Sequence, residues 1–342
     1  MAGISISTSR SNPERRRRFA VLLLLVTLGF AGLLVAAWFR VTQPILFTVG
    51  TNADAPPVDA ARLEAHVRML AETLAPRDEG HPENLDRAAA YLHREFERAG
   101  AVAVSEQPFE SRGRTYRNVI ASFGPRTKEL IVVGAHYDTA GALPGADDNA
   151  SGVAGLIELA YLLGRTPPAA RVELVAYTLE EPPYFRSASM GSAVHASSLR
   201  AQGFAVRVML SLEMIGYFSD QPDSQHYPVS LLKAFYPSRG NFISVVGKMD
   251  QGRTMRRVKK AMAGASPLPV YSINAPRAIP GVDFSDHLNY WNEGYDALMI
   301  TDTAFYRNPN YHTFADTPDT LDYKRMALVV GGVYAAVLAF SN

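Results

Sequence analysis

No cysteine occurs among the 342 residues. Disulfides are therefore excluded, and a bound metal must be held by His, Asp or Glu. The absence does not fix the compartment, because an envelope protein can rely on its core alone. Net charge is almost absent too: 34 Lys and Arg stand against 33 Asp and Glu, giving +1. No global field then draws nucleic acid or an acidic partner. The chain has no internal repeat, no low-complexity tract and no Gly-x-Ser-x-Gly elbow, which argues against a serine nucleophile of that type. With 47% hydrophobic and 20% charged residues, what remains is an ordinary globular composition. It is long enough for one large α/β domain or two small ones.

The basic residues are unevenly placed. Arg15, Arg16, Arg17 and Arg18 directly precede an uncharged run over 19–39, in which Thr27 is the polar exception. About 20 helical residues cross the ~30 Å hydrocarbon layer, so the run is long enough to span it. A buried core helix would be apolar on one side only. A cleaved signal would have a shorter apolar region, and Ala36-Ala37-Trp38-Phe39-Arg40 is a poor small-residue cleavage site. The expectation is a basic cytoplasmic tail (1–18), a transmembrane anchor (19–39), a linker (40–57) and a catalytic domain (58–342). The arginines hold the N-terminus in the cytoplasm and place the domain on the periplasmic or extracytoplasmic side.

Apolar spacing predicts helices over 58–74 and 84–99. Short β-rich runs follow at 101–109 and 116–123. The runs at 129–134 (ELIVVG) and 171–178 (RVELVAYT) are nearly continuous, as in strands buried on both faces. Further strands are expected at 206–212 and 297–301, with helices over 149–164, 187–203 and 323–340. This alternation predicts a mixed α/β sheet, parallel in its centre, flanked by helices on both faces. Residues 216–251, rich in Tyr, Pro, Ser and Asp, read as an insertion or ordered loop.

In such sheets ligands bind at the carboxyl ends of the strands. ELIVVG is followed by His136 and Asp138, and the next loop carries Asp147, Asp148 and Asn149. Glu180 and Glu181 follow RVELVAYT, Glu213 directly follows the 206–212 run, and Tyr311 and His312 follow 297–301. Singly each has an ordinary reading: a loop histidine, a helix cap, a solvated acid pair, a partner for an arginine. Together they put oxygen and imidazole donors on one rim, which suits zinc, manganese or cobalt.

His136-x-Asp138, the GADDNASG segment, Glu180-Glu181, Glu213-Met214-Ile215-Gly216 and Tyr311-His312 resemble the M28 family of metallopeptidases, from about Arg62 to Phe340. The resemblance implies a zinc aminopeptidase fold of the phosphorylase/hydrolase-like type. It also implies two Zn²⁺ ions (Mn²⁺ or Co²⁺ being possible) and removal of N-terminal residues from peptides through an activated water. Asp148 would bridge the metals, His136 and Glu213 would complete one, and Glu181 and His312 the other. Glu180 would be the general base, Asp138 would orient His136, and Tyr311 would donate to the developing oxyanion. Asp147 is the alternative bridge. The family more often has Asp where this chain has Glu213, one methylene longer.

Ser285-Asp286-His287 reads as a helix cap near the cleft, with His287 outside the ligand set. The Asp316-Thr317-Pro318-Asp319-Thr320 stretch reads as a turn fixing the His312 loop. His66, His81, His93, His195 and His226 read as surface or core residues. A single-zinc glutaminyl cyclase and a non-catalytic binding ectodomain are the competing readings. Partners are expected to be peptides and the membrane, with no nucleic acid.

Overall fold

The computed structural model describes residues 13–45 and 57–341. The expected tail is thus described from Pro13, and residues 46–56 of the expected linker lie outside the described residues.

The eight strands are β1 (Ala103–Ser111), β2 (Arg114–Phe123), β3 (Glu129–His136), β4 (Arg171–Tyr177), β5 (Ala205–Glu213), β6 (Ile243–Gly247), β7 (Val270–Asn274) and β8 (Ala297–Thr301). They form one sheet in the order β1-β2-β4-β3-β5-β8-β6-β7. The central β4, β3, β5 and β8 are mutually parallel, whereas β2 joins β4 and β6 joins β8 antiparallel. The chain leaves β3 for β4 on one side and returns across it to β5 on the other. That reversal opens a crevice at the carboxyl ends of the central strands.

Along the central strands the apolar residues divide by parity, because successive side chains point to opposite faces. Ile131, Val133, Leu174, Val208, Leu210, Leu298 and Ile300 join one buried cluster. Leu130, Val132, Val175, Met209, Ala297 and Met299 join another. The first face is covered by α2 (Ala60–Arg68), α3 (Pro82–Arg98), α4 (Gly152–Arg165), α6 (Gly252–Ala265) and α8 (Tyr323–Ser341). The second is covered by α5 (Gly191–Ala201) and α7 (His287–Asn292). The expected mixed sheet with helices on both faces is therefore present.

Two expectations need correction. The irregular segment is shorter than 216–251, because Ile243–Gly247 is a fully buried strand inside the sheet. The expected helix over 187–203 begins only at Gly191, since 182–190 form turns around Pro182 and Pro183.

Helix α1 (Pro13–Thr42) carries the four arginines and the whole apolar run; its 30 residues measure about 45 Å at a rise of 1.5 Å each. No part of its apolar window is buried, whereas α8, also long and apolar enough to cross a membrane, is 61% buried and packs as a core helix. Thus α1 is a candidate membrane span. Its C-terminal end is engaged by the domain. The Thr42 carbonyl accepts from Ser272 Oγ at 2.8 Å and Lys259 Nζ at 3.1 Å. The Gln43 carbonyl also accepts from Lys259, and its Oε1 accepts from Arg256 Nη2 at 2.9 Å. These donors satisfy carbonyls left open at the helix end and set a cation against the negative pole of its dipole. Burial lowers the Lys259 amino group to about 8.

Candidate metal centre

Four neighbouring strands deliver the centre. His136 is the last residue of β3 and Glu213 the last of β5. Glu180 and Glu181 follow β4, and His312 follows β8. Asp148 lies in the turn Ala146–Ser151 between β3 and α4, with non-helical backbone at Asp148 and Asn149 and a cis peptide joining them.

That turn is tied down from three directions. Asn149 donates to the Leu212 carbonyl at 2.8 Å and accepts the amides of Gly152 and Met214 at 3.1 Å. Ser151 Oγ accepts the Ile215 amide, and the Asp316 carboxylate accepts the amides of Asp147 and Asp148 at 2.9 and 3.1 Å. Gly145 precedes it at φ +57°, where a Cβ would lie 2.3 Å from the Asp148 carbonyl oxygen. A Cβ on Gly152 would lie 2.6 Å from the Leu212 carbonyl oxygen and 2.4 Å from Asn149 Oδ1. Backbone would have to move, so Gly152→Ala is expected to cost about 1–3 kcal/mol. It should also weaken cation binding, which thermal melts and cation titration would measure together.

The two oxygens of Asp148 face different imidazoles. Oδ1 is 3.4 Å from His136 Nε2, and Oδ2 is 3.0 Å from His312 Nε2. Glu213 Oε2 stands 3.4 Å from His136 Nε2, and Glu181 Oε1 stands 3.2 Å from His312 Nε2. Three sets of donors converge within 4.8 Å: His136, Asp148 and Glu213; Asp148, Glu181 and His312; and His136, Glu180 and Glu181. His136 Nε2 and Asp148 Oδ1 are buried with no hydrogen-bond partner. A separation of 3.4 Å is too long for a hydrogen bond, but it matches the edge of a coordination tetrahedron whose bonds are about 2.0–2.1 Å. The donor set fits a divalent cation such as zinc.

The electrostatics agree. Burial raises Glu180 well above the carboxylate range, and raises Glu181 to about 8 with help from the Asp148 charge. Burial would lower both imidazoles, yet the surrounding carboxylates raise His136 well above its ordinary value and His312 to about 10. Acids outnumber bases in a dry pocket, an arrangement that cations relieve.

The other expected residues occupy definite places. Asp138 accepts the backbone amides of Glu180 and Glu181, each at 3.1 Å, and so fixes the turn carrying both acids. Its carboxylate is 3.6 Å from His136 Nδ1, which lies nearer the Asp138 carbonyl oxygen at 3.2 Å. Asp147 points elsewhere, accepting from Gly216 N at 3.0 Å and Asn308 Nδ2 at 2.7 Å. Tyr311 stacks on His312, with ring centroids 3.8 Å apart, and burial raises its phenol. Asp286 makes no cap bond on α7, but Ser285 Oγ donates to Glu213 Oε2 at 2.7 Å. His287 is bonded to the Val282 carbonyl, which leaves it outside the donor sets.

Arg77 was not singled out from sequence. Fully buried, it donates to the carbonyls of Tyr137, Leu70, Pro144 and Gly145, bracing the loop between His136 and Asp148. Burial lowers its pKa to about 10. A lone arginine between Pro76 and Asp78 gives no signal of this in the chain.

Beside the centre lies an apolar cleft of about 100 Å³. Glu213 and Tyr311 stand in its lining, with Tyr227, Leu232, Tyr236, Phe242, Phe284, Phe305 and Met299 among the other walls.

A protein of Escherichia coli named Uncharacterized protein YfbL is 50% identical over 280 residues, covering 80% of this chain and 85% of that one. Leucine aminopeptidase 1 of Ajellomyces dermatitidis is 26% identical over 224 residues, covering 61% of this chain. The chain spans about half that enzyme's length, 52%. The fold is shared with the LapA aminopeptidase of Legionella pneumophila at a TM-score of 0.65 and 21% identity, over 83% of this chain and 72% of that one. The family model described as Peptidase family M28 matches residues 118–337, most of the sheet and its covering helices. The chain is a member of peptidase family M28.

Proposed function

We propose that the protein is a membrane-anchored aminopeptidase working with two divalent cations, zinc foremost. The reading rests on one observation: Asp148 turns one oxygen to His136 and the other to His312, and a separate glutamate completes each pair. His136, Glu213 and Asp148 would hold one ion, and Asp148, Glu181 and His312 the other. Bound there, the ions would acidify a water and polarise the scissile carbonyl. Glu180 accepts the proton of the attacking water and returns it to the departing amine. Asp138 keeps Glu180 and Glu181 side by side through their amides, so one can ligate while the other stays free. The Tyr311 hydroxyl donates to the oxyanion.

The cleft supports a preference for a large apolar residue at the cleaved position, since its walls are aromatic and aliphatic. With aminoacyl-nitroanilides, the full chain in detergent is expected to turn over leucyl or phenylalanyl substrates at least about 10-fold faster than glycyl ones. Two metal equivalents per chain are expected by elemental analysis. One tightly held metal, with cyclisation of N-terminal Gln, would replace this reading by the single-zinc cyclase. Two bound metals without any turnover would favour a binding ectodomain.

Residues 19–39 would span the bilayer with Arg15 to Arg18 in the cytoplasm, and the domain from residue 58 would face the other side. Protease added outside spheroplasts is expected to reach the domain, which checks that topology.

A further inference from the structure

Among the described residues outside α1, the exposed large hydrophobic side chains are few: Val102, Phe284, Phe305, Phe314, and a group made of Val229, Leu231 and Phe235. Phe284 and Phe305 belong to the cleft. The Val229 group lies on one short segment around the helical turn Ser230–Ala234, with Lys233 also exposed between its members. Leu231 is 67% exposed, a costly position in water for a residue with no visible function there.

Its place in the fold gives that exposure a meaning. Phe235 and Tyr236 share a cavity with Trp38, Thr42, Pro44 and Ile45, the point where α1 meets the domain. If residues 19–39 span the hydrocarbon layer, Trp38 and Arg40 mark its surface, where aromatic and basic side chains settle. The apolar surface of α1 then continues sideways onto the 229–235 segment at that level. We propose that this segment is a second contact with the bilayer, with Val229, Leu231 and Phe235 dipping beneath the headgroups and Lys233 reaching the lipid phosphates. The inference rests on α1 being embedded. Leu232 within the segment and the flanking Tyr227 and Tyr236 line the cleft wall. The lipid surface therefore adjoins the cleft, and peptides already adsorbed to the membrane are the substrates best placed to enter it.

The absence of native cysteine makes the test direct. Full-chain variants Leu231→Cys, Phe235→Cys, Val102→Cys and Leu28→Cys would each carry an environment-sensitive fluorophore. They would be reconstituted in phosphatidylcholine–phosphatidylglycerol vesicles containing lipids spin-labelled on the acyl chain. Val102 is an exposed control at the far sheet edge, and Leu28 reports α1. The expected result is quenching at 231 and 235 severalfold above that at 102. Strong quenching at 28 with 231 and 235 no different from 102 would overturn the proposal and leave the anchor standing. Loss of quenching at 28, 231 and 235 together would remove both.

Discussion

Glu180→Gln is expected to keep its metal and lower kcat by about 100- to 10,000-fold, the usual contribution of a positioned base. Its neighbour should behave oppositely: Glu181→Gln is expected to lose metal, because Glu181 Oε1 stands 3.2 Å from His312 Nε2. The two acids are adjacent, equally buried and carried by one turn. Any general damage to that turn would strike both variants alike. Metal content measured beside kcat separates the roles, and unchanged turnover in Glu180→Gln would reject the assigned base. The pH profile adds a second check. A base must be ionised, so activity falls as pH drops through its folded-state pKa, which burial raises and bound cations would lower. Residual activity of Glu180→Gln should lack that acid limb.

Removal of the cations is the second large effect. Chelation is expected to abolish turnover, with recovery on adding zinc, and to lower the melting temperature. A cation present at 1,000 times its Kd adds about 4 kcal/mol to the native state, worth roughly 10 °C for a domain of this size. The fall is expected because Asp148, Glu180, Glu181 and Glu213 would otherwise be buried together with only two imidazoles. Asp148→Asn should disturb both ions and cost more than about 100-fold in activity, the upper range for losing even an outer partner of a ligand. Glu213→Gln should affect one ion. Equal metal content in wild type and Asp148→Asn would contradict the bridging role.

Much of this was legible before any coordinates because two signals coincided. ELIVVG and RVELVAYT are apolar on both faces, which marks central strands, and the donors follow those strands directly. The order of His136, Asp148, Glu181, Glu213 and His312 along the chain then carried the family resemblance. Other features left weaker traces. β6 and β7 are five residues each, too short for alternation to stand out, and β6 follows a stretch rich in Pro, Ser and Tyr. The choice between Asp147 and Asp148 rested on register alone in the sequence, whereas hydrogen bonds to Gly216 and Asn308 turn Asp147 away. Asp138 was expected to orient the His136 imidazole; its carboxylate stands 3.6 Å from His136 Nδ1 and also accepts two backbone amides, partners no side-chain pattern encodes.

The strand order has a consequence for biogenesis. β8 lies between β5 and β6, and the loop beyond it supplies His312, the last donor in the chain. A polypeptide halted before that point holds His136, Asp148, Glu181 and Glu213 with the second pair incomplete. On the proposed ligand assignment, filling of the second position, which needs His312, would be tied to completed synthesis of nearly the whole chain.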